Sequence, residues 1–311
     1  MVKYIYICSA DHSGSTLLDL LLGSHPRAAP LGEISQLPKN IALNTPCTCG
    51  TAVRLCLVWR DVLCLMGEHL GTDLMRDPYA LNLGYPKASV VIDTAHQNSA
   101  YLIRRALILG VYYMHLRNDF PFFRPFLRSI EQSIRNTFLL YDTVRQVLNV
   151  NITVDSSKSY LQAVGLYLNN PESMRIILLT RDGRGVLYSN VRRGASPRLS
   201  TRHWRNYYVR ALPLLTKHVD TCHILRIRYE DLALGPEESL RKICNFLEID
   251  FHAQMLDYSA HIHHITNGNN MRFVRSSDIR FDVQWQENLS SRDRKYFDRI
   301  AGKLNRELGY Q

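Results

Sequence analysis

An α/β fold, with a central parallel β-sheet flanked by helices, is what this sequence predicts, and three observations predict it. Short apolar runs rich in strand-forming residues recur at 3–8, 90–92, 151–154, 175–180 and 223–227. Helical patterns fill the intervals, and strands alternating with crossover helices build parallel sheets. The chain has 311 residues, 46% hydrophobic and 21% charged. That suffices for one large domain and is the wrong balance for a disordered, collagen-like or disulfide-stapled protein.

The first strand, 3–8, runs into the loop Ser9-Ala10-Asp11-His12-Ser13-Gly14-Ser15-Thr16 and then a helix at 17–23. Two long apolar-periodic helices, 99–117 and 126–148, read as an insertion at about 97–150 in a single domain spanning 1–311. Strand 151–154 leads to a helix at 160–168, and strand 175–180 to helices at 185–191 and 203–217. Strand 223–227 leads to helices at 236–246 and 290–308. Trp204, Tyr208 and Leu212 fall at i, i+4 and i+8, one buried stripe of the 203–217 helix. No apolar run is long enough to span a bilayer, and the first residues lack the apolar core and cleavage site of a signal peptide. With seven cysteines, an odd number, a reducing, cytoplasmic setting is expected.

Net charge is +10 at pH 7, and its position says more than its size. Between Arg175 and Arg210 there are nine Arg, no Lys and one acid, Asp182. Forked guanidinium groups favour directed recognition of phosphate or carboxylate. A nucleic-acid binder wants basic residues interleaved with exposed aromatics instead, so no nucleic-acid partner is expected.

Two strand–helix turns have the chemistry of anion sites. In the first, Ser13, Gly14, Ser15 and Thr16 offer backbone N–H and hydroxyl donors at a helix start. It is not a Walker A loop: Ser9 stands where the first Gly belongs and Ser15 where the Lys belongs. In the second, Arg181 ends a strand and Ser189 follows eight residues later, about two helical turns on. The helix start there adds positive potential, and Arg184 is a second candidate contact.

The run Asp11-His12-Ser13-Gly14-Ser15-Thr16-Leu17-Leu18, followed by Gly23-Ser24-His25-Pro26, resembles the phosphosulfate loop of sulfotransferases that use 3′-phosphoadenosine-5′-phosphosulfate (PAPS). His12 replaces the Lys or Arg usual in that loop. Arg181 with Ser189 resembles the family's 3′-phosphate motif. Val154-Asp155-Ser156-Ser157-Lys158-Ser159 resembles its strand-end Asp-x-(Ser/Thr)-Lys segment. Ile227-Arg228-Tyr229-Glu230-Asp231-Leu232 is similar to its Arg-Tyr-Glu-Asp-Leu stretch. Gly268-Asn269-Asn270-Met271-Arg272-Phe273 and Trp285 resemble its cofactor-covering C-terminal segment. The ordered set spans almost the whole chain and is most similar to bacterial-type and Golgi-type carbohydrate and protein sulfotransferases.

The resemblance implies a P-loop-like sulfotransferase fold and PAPS as sulfuryl donor. It implies donor contacts from His12, Ser13, Gly14, Ser15, Thr16, Arg181, Ser189, Tyr229 and Arg272. It implies metal-independent in-line transfer to a hydroxyl or amine of a small-molecule or glycan acceptor. Glu33 is the candidate base, because related protein-tyrosine sulfotransferases place a catalytic Glu after their loop helix; Asp155 and His96 are weaker candidates. His12 and Lys158 are expected to stabilise the leaving phosphate, with anionic phosphate favouring protonated His12. The insertion and the cluster His261, His263 and His264 are expected to meet the acceptor. Finally, Cys47, Cys49, Cys56 and Cys64 form a C-x-C-x6-C-x7-C pattern. It is not a standard zinc ribbon, so loop packing is the first expectation there and no metal ligands are assigned.

Overall fold

The computed structural model describes residues 1–83, 99–118, 124–274 and 276–311. The strand expected at 90–92, and His96, lie outside the described residues. Five strands, β1 Tyr4–Ser9, β2 Ala28–Pro30, β3 Ile152–Lys158, β4 Met174–Thr180 and β5 Ile224–Arg228, pair in parallel in the order β2-β3-β1-β4-β5. Strand β2 has no counterpart in the sequence reading. It is three residues long and ends in Pro, which an edge strand tolerates because it lacks a ladder N–H.

The β1 side chains divide by parity, as in any strand. Tyr4, Tyr6 and Cys8 enter one buried cluster with Trp59, Tyr141, Ile176 and Trp204. Ile5 and Ile7 enter another with Leu18, Leu21, Ile177 and Ile243. Both faces of the sheet are therefore buried, the usual condition of a parallel sheet.

The covering helices are α1 Ser15–Gly23, α2 Leu37–Ala42, α3 Leu57–Leu70, α4 Ser99–Asn118, α5 Arg124–Leu148, α6 Tyr160–Asn169, α7 Gly183–Val191, α8 Pro197–His218, α9 Tyr229–Leu234, α10 Pro236–Leu247, α11 Trp285–Asn288 and α12 Ser291–Glu307. Helix α3 is absent from the sequence reading, and α8 starts earlier than expected, with Pro197 in its first turn. Of the aromatic stripe on α8, Trp204 and Tyr208 are fully buried and Leu212 half-buried. The 97–150 segment contributes core: Tyr141 of α5 donates to Asp155 Oδ2 (2.6 Å) and Asp142 Oδ1 accepts from Tyr4 (2.8 Å). On α4, Tyr112 and Leu116 are buried, and the Leu116 carbonyl meets Lys217 Nζ at 3.2 Å and His218 Nε2 at 2.6 Å. Among the described residues no helix is long and apolar enough to cross a membrane.

Two stability predictions follow from the core. A Cβ added at Gly183 would lie 2.4 Å from Phe297 Cζ and 2.8 Å from Trp204 Cδ2. Gly183→Ala should therefore cost about 1–3 kcal/mol by overpacking, measured by urea denaturation; an unchanged midpoint would contradict this packing. Asp155 is fully buried on β3, and burial pushes its carboxyl up from 3.8 to about 6. A raised carboxyl contributes stability that is complete below its unfolded-state value and is lost as pH rises to the folded one. Relative to Asp155→Asn, the wild type should lose on the order of 3 kcal/mol between pH 3.8 and 6. Denaturation of both proteins at pH 4 and 7 reads this, and parallel pH dependence would contradict it.

Candidate active site

A cavity of about 710 Å³ opens at the carboxyl ends of the strands, where α/β sheets bind their ligands. Its walls come from the loops after β1 and β4, Glu33 after β2, Lys158 at the end of β3, and C-terminal residues including Gly268, Asn269 and Asp282. The size is that of a small-molecule site.

The loop after β1 passes twice through the left-handed region, at His12 (φ 58°) and Gly14 (φ 91°). Alternation of this kind turns successive N–H groups into an anion nest. A Cβ on Gly14 would lie 2.5 Å from Tyr229 Cδ2, so the position requires glycine for both space and conformation. No side chain caps α1, and its first turn, Ser15, Thr16 and Leu17, forms the cavity wall with His12 and Gly14. Thr16 Oγ1 accepts from Asn269 N (3.1 Å), which draws the C-terminal segment over the loop. Ser13 is fully buried and does not line the cavity.

The N-terminus of α7 differs from the expectation of a second helix-end anion site. Its donors are already used inside the protein. Asp182 N donates to Glu230 Oε1 (3.0 Å), Gly183 N to Asn305 Oδ1 (2.9 Å) and Arg184 N to Asp182 Oδ1 (2.9 Å). Arg184 is likewise consumed: its guanidinium grips Asp182 (2.6 Å), bonds the Gln311 carbonyl and stacks on Trp285, and it does not line the cavity. Side chains from this region reach the cavity instead. Arg181, Ser189, Arg192 and Arg193 line the same cavity. Arg181 is buried, stacks 4.4 Å over the Tyr229 ring, donates to His12 O (2.8 Å) and pairs with Asp282 Oδ2 (3.1 Å).

Lys158 is aimed by an irregularity of the sheet. Tyr6 pairs with Asp155 but Cys8 with Lys158, so β3 carries an extra residue, and Lys158 has φ 70°. Bulges redirect side chains in this way. Its carbonyl accepts from Tyr207 Oη (2.7 Å), and its ammonium reaches Glu33 Oε1 at 2.6 Å and Asp11 Oδ1 at 3.5 Å. Glu33 stands on a supported turn. Gly32 N donates to Asp19 Oδ2 (2.9 Å), Ser156 Oγ donates to the same oxygen (3.1 Å), and Ser156 N donates to Gly32 O (3.0 Å). Asp19 is fully buried, and burial holds its carboxyl well above the usual carboxylate range.

Of the residues named from sequence, His12, Gly14, Ser15, Thr16, Glu33, Lys158, Arg181, Ser189 and Tyr229 converge on the cavity. Arg272 does not: it turns back to the Gly268 carbonyl and stacks on Phe273. Asp155 is sealed by Tyr141 and by Ser157 N (2.7 Å), so it has no access to a substrate proton. The surroundings of His12 set its protonation before any anion binds. Burial, then Arg193, Lys158 and Arg181, push its imidazole below the ordinary value, so the neutral form predominates at neutral pH and donates through one ring N–H. His263 is buried, pushed down to about 4, and contacts Tyr258 O (3.2 Å). His264 turns to Cys56 (3.2 Å), and none of the three clustered histidines lines the cavity. Asp19, Asp282, Arg192 and Arg193 escaped the sequence reading. Asp19 left a signal as the lone charge in Leu17-Leu18-Asp19-Leu20-Leu21-Leu22, and Arg192 and Arg193 only as members of the Arg-rich window.

Among solved structures, the chain is similar to the "Sulfotransferase Domain from the Curacin Biosynthetic Pathway", at 20% identity over 100% of this chain and 99% of that one, with a TM-score of 0.49. It is similar to the sulfotransferase domain from the Synechococcus PCC 7002 olefin synthase (18%, 100% and 95%, 0.48). The sulfotransferase from Alicyclobacillus acidocaldarius is a third (13%, 100% and 97%, 0.42). A search of curated proteins returned no match. The family model described as "Sulfotransferase family" matches residues 94–253, just over half of the chain and the part that carries Lys158, Arg181, Ser189 and Tyr229. The chain belongs to the sulfotransferase family.

Proposed function

We propose that this cavity transfers a sulfuryl group from PAPS to a hydroxyl or amine of a small-molecule or glycan acceptor. The observation that carries the reading is the contact of Lys158 with Glu33 at 2.6 Å in the same cavity as the uncapped start of α1 and the Arg181 cluster. The residues fit the donor. The α1 end, with the Gly14 nest, suits a 5′-phosphosulfate. Arg181 with Ser189, Arg192 and Arg193 suits a 3′-phosphate.

PAPS supplies the sulfuryl group and a phosphate leaving group, so charge grows on the bridging oxygen as the acceptor attacks. Lys158 neutralises that charge, and the α1 N–H groups and the His12 ring N–H add donors. Glu33 takes the acceptor proton. Its Oε1 is held by Lys158 and its Oε2 has no hydrogen-bond partner among the described residues. Asp19 and Gly32 set the position of that carboxylate.

Transfer of label from radiolabelled PAPS to a panel of sugars, phenols, lipids and peptides tests the activity and finds the acceptor. With an acceptor in hand, Glu33→Gln and Lys158→Ala should each lower kcat by about 10²–10⁴ while changing affinity for adenosine 3′,5′-bisphosphate far less. Wild-type turnover in either variant would remove that residue from the mechanism. By calorimetry, Arg181→Ala should weaken the bisphosphate about tenfold to a hundredfold. Asp282→Asn should tighten it, since Asp282 competes for the same guanidinium. An unchanged dissociation constant in Arg181→Ala would place the 3′-phosphate elsewhere.

A further inference from the structure

Away from the cavity, the sulfur atoms of Cys47, Cys49 and Cys56 and a ring nitrogen of His264 all lie within 4.8 Å of one another. Cys47 and Cys56 are buried, and Cys49 and His264 half-buried. A tetrahedral zinc ion with Zn–S near 2.3 Å and Zn–N near 2.0 Å spaces its ligands about 3.8 Å apart or less. The cluster is already close to that spacing, with Cys56 Sγ 3.2 Å from His264 Nδ1. Cys64, fourth in the sequence pattern, is exposed on α3 with its Sγ toward Glu68 Oε1 (3.9 Å).

Contacts of the neighbouring residues bring this set together. Cys47 and Cys49 share a turn closed by Gly50 N to Cys47 O (3.0 Å) and Cys47 N to Thr51 O (2.8 Å). Thr48, between them, clamps the distant segment: Thr48 Oγ1 donates to His263 O (2.7 Å), Ile265 N donates to Thr48 Oγ1 (2.9 Å), and Thr48 N donates to Ile265 O (3.1 Å). Trp59 Nε1 donates to His264 O (2.8 Å). Three soft sulfurs and one imidazole, gathered within 4.8 Å, form a donor set for zinc.

We propose that Cys47, Cys49, Cys56 and His264 bind one zinc ion in a closed Cys3His site. All four positions are filled by protein, so the ion is structural and not part of the transfer chemistry. The three thiols bind as thiolates and release their protons. The ion fastens the 47–56 hairpin to residues 263–265. Ile265 packs on Gly32, next to Glu33, and Gly268 and Asn269 follow onto Thr16. Metal binding thus anchors the segment that roofs the phosphate loop.

The test uses the full chain, expressed with zinc in the medium and freed of any metal-binding tag. Elemental analysis should find one zinc per chain in the wild type and in Cys64→Ser. Zinc should be largely lost from Cys47→Ser, Cys56→Ser and His264→Ala. Chelation of the wild type should lower its melting temperature, and zinc should restore it. Cobalt(II) in place of zinc should give the intense visible bands of a tetrahedral thiolate site, a readout that holds even where single variants do not fold. Wild type without zinc, a disulfide among Cys47, Cys49 and Cys56 found by mass spectrometry, or loss of metal in Cys64→Ser would each overturn the proposal.

Discussion

A lysine held in an unfavourable backbone conformation organises this site. Lys158 has a positive φ, which costs a non-glycine residue on the order of 1–2 kcal/mol, and it ends β3 beside a bulge. In regular β-structure its side chain would follow the parity of the strand. The bulge and the left-handed turn release it from that parity, and Tyr207 and Glu33 hold it at its two ends. His12, which lines the same cavity, has the same kind of backbone, with its carbonyl held by Arg181. Among the described residues the other positive-φ positions outside glycine are three asparagines and Glu248, and asparagine visits this region readily. Strain is thus concentrated on two groups proposed to face the leaving phosphate.

Charge in the cavity is balanced internally. Lys158 answers to Glu33 and Asp11, and Arg181 to Asp282. Each of these two cations in the cavity wall is thereby matched by a carboxylate oxygen within 3.5 Å. Arg184 shows the opposite arrangement: locked to Asp182, stacked on Trp285 and tied to the C-terminus, it serves the junction of α7 with the final residues. The basic window of the sequence therefore divides by partner, into arginines that reach the cavity and arginines that stitch helices together.

The central sheet was legible in the sequence because β1 and β4 are apolar runs buried on both faces, and β1, β3, β4 and β5 all appear within a few residues of their expected limits. Strand β2 and helix α3 were not: three residues carry no period, and the start of α3 lies in a cysteine-rich loop. The loop motif and the Arg181–Ser189 spacing located one cavity because both sit at strand ends, which the parallel topology brings side by side. Three features depend on tertiary contacts. The capping of α7 by Glu230 and Asn305 comes from distant segments, and so does the pairing of Arg181 with Asp282. The exchange of Cys64 for His264 crosses some two hundred residues, a distance that no local spacing rule spans. Arg272 stands off the cavity wall for a simpler reason: the motif gave the segment, and the direction of a long side chain within it depends on Phe273 and Gly268.

The central claim is that one cavity holds two anionic groups at once, one at the start of α1 and one at Arg181. Thermal denaturation of the protein with adenosine 3′,5′-bisphosphate, beside adenosine 5′-monophosphate at equal concentration, measures this most directly. Two occupied anion sites predict a rise in melting temperature of about 5 °C or more for the bisphosphate at saturation, and little for the monophosphate. Equal shifts, or none with the bisphosphate, would contradict it.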